Sequence, residues 1–174
     1  MSRFSHFVAL LALPLTALTP ARAQTAPNFA GNWAIAGNLA VPNLTGTWVM
    51  AADKSDFGPM PAPKVRTDVV DHKEPNLTIK RTVTGPDGTP AVVDLKYAVD
   101  GKQYTNTTPQ GDIKSTLKWD GNVLVVASVV STPNGDADVT DRFSLSEDGK
   151  TLTQNRTIAA QGQEFKQTIV MIKQ

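Results

Sequence analysis

Asp141-Arg142-Phe143-Ser144-Leu145-Ser146-Glu147-Asp148-Gly149-Lys150-Thr151-Leu152-Thr153-Gln154-Asn155-Arg156 is the stretch whose reading decides the fold. Two alternating runs flank Asp148-Gly149. Asp-Gly between such runs is a strong hairpin signal, because both central residues of a type I′ turn need φ > 0. Folding the chain about that dipeptide sets Leu145 against Leu152, Phe143 against Gln154 and Asp141 against Arg156. Val139 then meets Ile158. Side chains alternate across a strand, so all eight share one face. That face is mostly apolar and carries one acid opposite one arginine.

Further turn signals extend the pattern: Asp100-Gly101, Asp120-Gly121 and Asn134-Gly135, with a weaker one at Gln161-Gly162. Between them β-branched residues dominate and no segment shows a helical period. The reading predicts strands at 44–51, 64–72, 76–84, 90–99, 102–108, 112–119, 122–131, 136–146, 150–158 and 163–173. Regular spacing with tight turns signals an all-β sandwich or barrel. Consecutive hairpins leave no long crossover, which favours an antiparallel up-and-down meander. A meander this long exposes two edges unless it closes, so an eight- to ten-stranded barrel is expected.

Applied to the other turns, the same mirror rule predicts Leu124 opposite Leu145, Val126 opposite Phe143, Ser128 opposite Asp141 and Val130 opposite Val139. It also predicts Leu117 opposite Leu124 and Ile113 opposite Ser128. About Gln161-Gly162 it sets Ile158 against Phe165, Arg156 against Gln167, Gln154 against Ile169 and Leu152 against Met171. All hairpins agree on the apolar face. The other face, with Thr140, Arg142, Ser144, Thr153, Asn155 and Thr157, is polar. An outer-membrane barrel has the reverse pattern and is excluded. One strand departs, with Val123, Val125, Ala127 and Val129 facing outward. That row predicts either a protein-partner patch or cover by the 24–63 segment.

The N-terminus reads as an export signal. Arg3 and His6 precede the apolar run Phe7 to Leu18, and Ala21-Arg22-Ala23 is a small-x-small cleavage site. The expected organisation is a signal peptide at 1–23, a linker or extra segment at 24–43, and a barrel domain at 44–174. Cleavage leaves 151 residues with 15 basic and 16 acidic side chains. A near-neutral chain with scattered charges shows neither a nucleic-acid face nor a polybasic membrane patch. No transmembrane span is expected after cleavage. Asn28-Phe29-Ala30-Gly31-Asn32-Trp33 is echoed by Asn43-Leu44-Thr45-Gly46-Thr47-Trp48, and the second copy, followed directly by alternation, is read as the first strand. Pro59, Pro61 and Pro63 exclude a regular helix over 53–63.

With no Cys and one His after residue 23, disulfides, thiol catalysis, Ser-His catalysis and transition-metal ligation lack parts. No cofactor is expected. His72, beside Asp71 and near Glu74, is read as part of a solvated turn before Pro75. The chemistry concentrates in a polar row of Ser128, Asp141, Arg156 and Gln167 between apolar rows. A buried ion pair is costly to desolvate, and such groups are kept either fully satisfied or in use on a ligand. Arg156 is suited to a forked hold on an acidic head. Gln154 and Gln167 would orient it, Phe143 would wall it, and Tyr97 and Tyr104, opposite each other across Asp100-Gly101, would add hydroxyls. The other reading is that Asp141 simply satisfies Arg156.

Gly46-Thr47-Trp48 resembles the Gly-x-Trp opening of the calycins, the lipocalins and fatty-acid-binding proteins. Leu117-Lys118-Trp119-Asp120-Gly121-Asn122 and the hairpins after it are similar to the late strands of fatty-acid-binding proteins. The likeness spans residues 43–174 and is of a bacterial exported type. It implies an up-and-down barrel with a cavity for small hydrophobic molecules, and Trp48 at the closed end. Two departures stand out. The family's helix–turn–helix lid is replaced by the Pro-rich 53–63 segment. The final strand carries Gln167-Thr168-Ile169 where the family has Arg-x-Tyr, leaving Arg156 as a substitute. The expectation is a periplasmic or secreted lipocalin-like protein that binds a small hydrophobic or amphipathic molecule. The alternative is an envelope or secreted interaction domain, such as an inhibitor, working through an outer surface at Val123, Val125 and Val129. An enzyme using Asp141, Arg156 or a Tyr as acid–base groups is a third reading.

Overall fold

The computed structural model describes residues 41–132 and 135–174. The expected export segment, the linker as far as residue 40 and the first Asn28–Trp33 copy lie outside the described residues. Ten antiparallel strands follow one another. They are β1 Gly46–Met50, β2 Val65–Lys73, β3 Asn76–Thr84, β4 Pro90–Ala98, β5 Gln103–Thr108, β6 Gly111–Asp120, β7 Val123–Thr132, β8 Gly135–Leu145, β9 Thr151–Ala160 and β10 Gln163–Lys173. The sheet order is β4-β3-β2-β1-β10-β9-β8-β7-β6-β5. The first strand is therefore seated between the second and the last, with Trp48 opposite both Asp68 and Lys173. The result is an all-β meander curled into a nearly closed barrel.

Closure is incomplete at one seam. β4 and β5 are consecutive in the chain but share no ladder. There the Asn106 side chain stands in for a rung. Its Oδ1 accepts the Lys96 N–H at 2.8 Å and its Nδ2 donates to the Lys96 carbonyl at 3.2 Å. An unpaired backbone group away from water is expensive, so a side-chain amide is a physical substitute for a missing strand partner. Tyr97 and Tyr104 consequently do not face each other in a hairpin, contrary to the expectation.

The late hairpins keep the predicted register. Asp141 faces Arg156, Phe143 faces Gln154, and Leu145 faces Leu152. Arg156 faces Gln167 and Leu152 faces Met171. At Gln161-Gly162 both residues have positive φ, 53° and 75°, as a type I′ turn demands. Two earlier hairpins are each two residues out of the predicted step. Asp120 pairs with Val123, so the loop is Gly121-Asn122 rather than Asp120-Gly121. Thr132 pairs with Gly135, which moves Gly135 into the strand. Ser128 thus faces Ser115 and Val139, and Val126 takes the place opposite Asp141. A two-residue slip preserves the face, because the side-chain period is two. The apolar interior survives the correction, whereas the continuous polar row does not.

The core is built from those inward positions. Trp48, Leu77, Leu117, Leu124 and Met171 are all under 2% exposed. Each buried aliphatic side chain contributes about 1.5–3 kcal/mol by leaving water. The irregular 53–63 segment is tied to β10. Asp56 and Thr168 exchange backbone hydrogen bonds of 2.7 and 2.8 Å, and Ser55 Oγ accepts the Val170 N–H at 3.0 Å. Phe57 packs against the core.

Candidate functional site

A cavity of about 420 Å³ occupies the barrel interior. Its walls are largely aliphatic, with Val70, Leu77, Leu95, Val126, Phe143 and Ile158 among them. Met60, 42% exposed, and the exposed Gln110 lie on the same cavity and mark where it meets solvent. The Pro-rich segment therefore supplies a side chain at the mouth, where the resembled family has a helical lid. Asp68, Arg81, Ser128, Asp141 and Arg156 interrupt the apolar wall.

Those charges belong to one connected network. Arg156 donates to Asp141 through Nε at 2.7 Å and Nη2 at 2.9 Å. Gln154, wholly buried, donates to Asp141 Oδ1 at 2.8 Å and accepts from Arg66 Nη1 at 2.9 Å. Arg66 holds Asp68 through Nε at 3.1 Å and Nη2 at 2.6 Å. Arg81 holds the same carboxylate through Nε at 3.0 Å and Nη2 at 2.9 Å. Among the described residues no buried side-chain nitrogen or oxygen lacks a partner. A satisfied network of this kind avoids the large penalty of an orphaned interior charge.

Its electrostatics are lopsided: three guanidiniums meet two carboxylates, an excess of one positive charge. Burial, and after it the Arg81 charge, pulls the Arg66 guanidinium down to about 10. Burial works to raise Asp68, but Arg81 and Arg66 together outweigh it and hold the carboxyl well below the usual range. Asp141 likewise sits low: burial is overcome by Arg156, by hydrogen bonds from Arg156 and Gln154, and by the more distant Arg81. For Arg81 burial is overcome in the opposite sense, and Asp68 raises it. Burial raises the Tyr97 hydroxyl.

The donor inventory of the two cavity-facing arginines is incomplete. Each uses Nε and Nη2 on its own aspartate, and neither Nη1 has a protein partner among the described residues. Those Nη1 groups are the uncommitted charged donors on the wall of a largely apolar chamber.

Of the residues expected to form a binding site, Arg156, Asp141, Ser128, Phe143 and Tyr97 line the cavity. Gln154 lies behind the wall, bracing Asp141 against Arg66. Gln167 donates to the Phe57 carbonyl at 3.2 Å and anchors the 53–63 segment. Tyr104 donates to Asp100 Oδ2 at 3.0 Å at the turn and is not part of the lining. His72 is not in a solvated turn. It lies on β2, 5% exposed, with Nδ1 accepting the Leu44 N–H at 3.3 Å and Nε2 at 2.9 Å from Glu74. Its ring tilts against Trp119, whose Nε1 donates to the same Glu74 oxygen at 2.6 Å. On the outer valine row Val125 is buried and Val123 and Val129 are half-buried, while the exposed valines are Val65, Val69 and Val92.

Sequence reasoning missed Arg66, Asp68 and Arg81. The signal was present: mirroring the chain about Glu74-Pro75 sets Asp68 opposite Arg81, as the ladder does.

No protein-family model matches the chain, and no curated protein matches it in sequence. Solved structures do match in fold. Zebrafish ileal bile acid-binding protein, complexed with cholic acid, is 16% identical with a TM-score of 0.53, covering 75% of this chain and 98% of that one. A variant of the fluorescent protein UnaG is 16% identical with a TM-score of 0.54, covering 75% and 95%. A secretory abundant heat soluble protein from Ramazzottius varieornatus is 12% identical with a TM-score of 0.55, covering 77% and 98%. At these identities the likeness is one of fold: the neighbours are calycin-type barrels, and this chain is a nearly closed antiparallel barrel similar to them.

Proposed function

We propose that this protein is an exported, periplasmic or secreted barrel that carries a small anionic amphiphile in its interior. One observation carries the reading: two guanidiniums, each with an uncommitted Nη1, stand on the wall of an apolar cavity. A chamber of about 420 Å³ falls within the usual range for small-molecule sites. The aliphatic wall takes a tail or ring, and the net positive network takes the acidic head. The fold neighbour whose name includes a bile acid supports the same class of ligand. Export rests on the basic-apolar-small pattern of residues 1–23. No described helix is long and apolar enough to cross a membrane. Intact mass of protein from its own host should match a chain beginning at residue 24.

Fluorescence titration of delipidated protein with dansylaminoundecanoic acid tests the cavity. Saturable one-to-one binding is expected, displaced by laurate and not by a trimethylammonium amphiphile of equal length. Arg156→Leu and Arg81→Leu should each weaken the anionic probe roughly tenfold or more, since a hydrogen bond to a charged group contributes about 1.5–3 kcal/mol. Unsaturable binding, or equal binding of both amphiphiles by all three proteins, would refute the reading. If Arg156 is only a structural partner, Arg156→Leu lowers stability and leaves probe affinity unchanged.

A further inference from the structure

A second polar feature of the cavity is uncharged. Ser115 on β6 is fully buried and its Oγ lies 2.8 Å from Ser128 Oγ across the ladder on β7. The Ser115 hydroxyl also interacts with that of Tyr97, which comes from β4 on the far side of the open seam. Ser128 and Tyr97 both line the cavity, and Ser115 sits behind them as the link.

Counting donors shows what this trio offers. Three hydroxyls supply three O–H donors, and the links between them consume at most two. When the bonds run in one direction the spare O–H lies on Ser128 or on Tyr97. When both ends donate to Ser115, the two cavity-facing oxygens offer lone pairs alone. Both ends face the cavity, and no other side chain is bonded to either hydroxyl among the described residues. Lone pairs on the same oxygens remain open, so the trio can give or receive one hydrogen bond. The hydroxyls are neutral, and so they suit a neutral oxygen and not a second acid.

This site is separate from the guanidiniums yet close to them. Asp141 stands opposite Val126, one inward position along β7 from Ser128. Two residues of rise put the rows roughly 7 Å apart. We infer that the Tyr97–Ser115–Ser128 trio is a second subsite, reading a hydroxyl or carbonyl oxygen on the body of an amphiphile whose acidic head is held by Arg81 and Arg156. The inference rests on the cavity being a ligand site and narrows the ligand to an oxygenated amphiphilic acid. The leftover O–H can also be met by water, so the site rewards the oxygen without strictly excluding its absence.

The test is displacement of the dansyl probe by stearate and by 6-, 10- and 12-hydroxystearate. At least one hydroxy acid should bind three- to tenfold more tightly than stearate, the range that one net hydrogen bond provides. The double variant Tyr97→Phe, Ser128→Ala should lose that preference and bind stearate and the hydroxy acids alike. Ser115→Ala, which cuts the link without touching the cavity wall, should reduce the preference in part. Equal binding of stearate and every hydroxy acid by the wild-type protein would overturn the subsite and leave the anion-binding reading standing. A preference that survives the double variant would overturn it too. If none of the four acids displaces the probe, the cavity reading falls and the subsite with it.

Discussion

Asp68→Asn removes one charge from the interior and almost no volume. In the native network Asp68 receives two hydrogen bonds from Arg66 and a further fork from Arg81. After the change three guanidiniums share the single carboxylate of Asp141. Arg66 is 4% exposed, so water cannot take over the lost neutralisation. Breaking a buried pair by removing one partner costs about 3–5 kcal/mol. A domain has about 5–15 kcal/mol in total, so the variant should fold but lie near its limit. At about 2–8 °C per kcal/mol for chains of this size range, Tm should fall by roughly 10 °C or more. Urea unfolding followed by tryptophan fluorescence gives the free-energy difference directly. Asp71→Asn is the control, since its pair with Lys73 spans 3.6 Å with both side chains mostly exposed; it should cost less than about 1 kcal/mol. The pH dependence has a defined sign. The folded Asp68 carboxyl lies below the unfolded value of about 3.9, so the unfolded chain binds the extra proton. Its contribution is complete above that value and is lost as pH falls through it toward the folded value. The wild-type advantage over Asp68→Asn should therefore shrink from about pH 5 downward. Equal stability of the Asp68 and Asp71 variants at pH 7, or a gap unchanged at pH 3, would refute the network's energetic role.

His72→Phe fills the same space but leaves the buried Leu44 N–H without its acceptor. It should destabilise the protein by about 1–3 kcal/mol in urea, and a loss below about 0.5 kcal/mol would contradict the role given to the ring. Asn106→Ala deletes the side-chain rung across the seam. Hydrogen exchange of the Lys96 amide should accelerate at least tenfold while amides in the β8–β9 ladder are unchanged; uniform protection in both places would count against the seam.

Most of the strand pattern could be read from residue types, because alternation and turn chemistry are local. The register of β8, β9 and β10 was legible for the same reason. The β6–β7 and β7–β8 steps depart from the turn chemistry because Asp-Gly and Asn-Gly are not the loop centres: the loop lies one residue later at β6–β7 and one residue earlier at β7–β8. The charged network was half legible. Asp141 and Arg156 flank a strong turn signal, whereas Asp68 and Arg81 flank Glu74-Pro75, a weaker one than Asp-Gly or Asn-Gly. β2 also inverts the usual cue. Its exposed positions include Val65 and Val69, about half exposed, and its buried positions include Arg66, Asp68 and His72. Hydropathy alone assigns that strand to the wrong side. The partners Arg81 on the adjacent β3 and Gln154 on the more distant β9 explain why the polar side faces in.

Seating β1 between β2 and β10 also has a kinetic meaning. The hairpins on either side of the seam can assemble from sequence neighbours as soon as each is made. The strand that joins them is the first of the ten to be made, yet it cannot complete its pairing until β10 follows, since Trp48 must meet Lys173. End-to-end docking is entropically slow compared with hairpin formation, so it should limit the folding rate. Until then β2 and the nascent C-terminal strands present bare edges. The most aggregation-prone interval in this molecule's life is therefore the wait for β10, the eleven residues Gln163–Lys173.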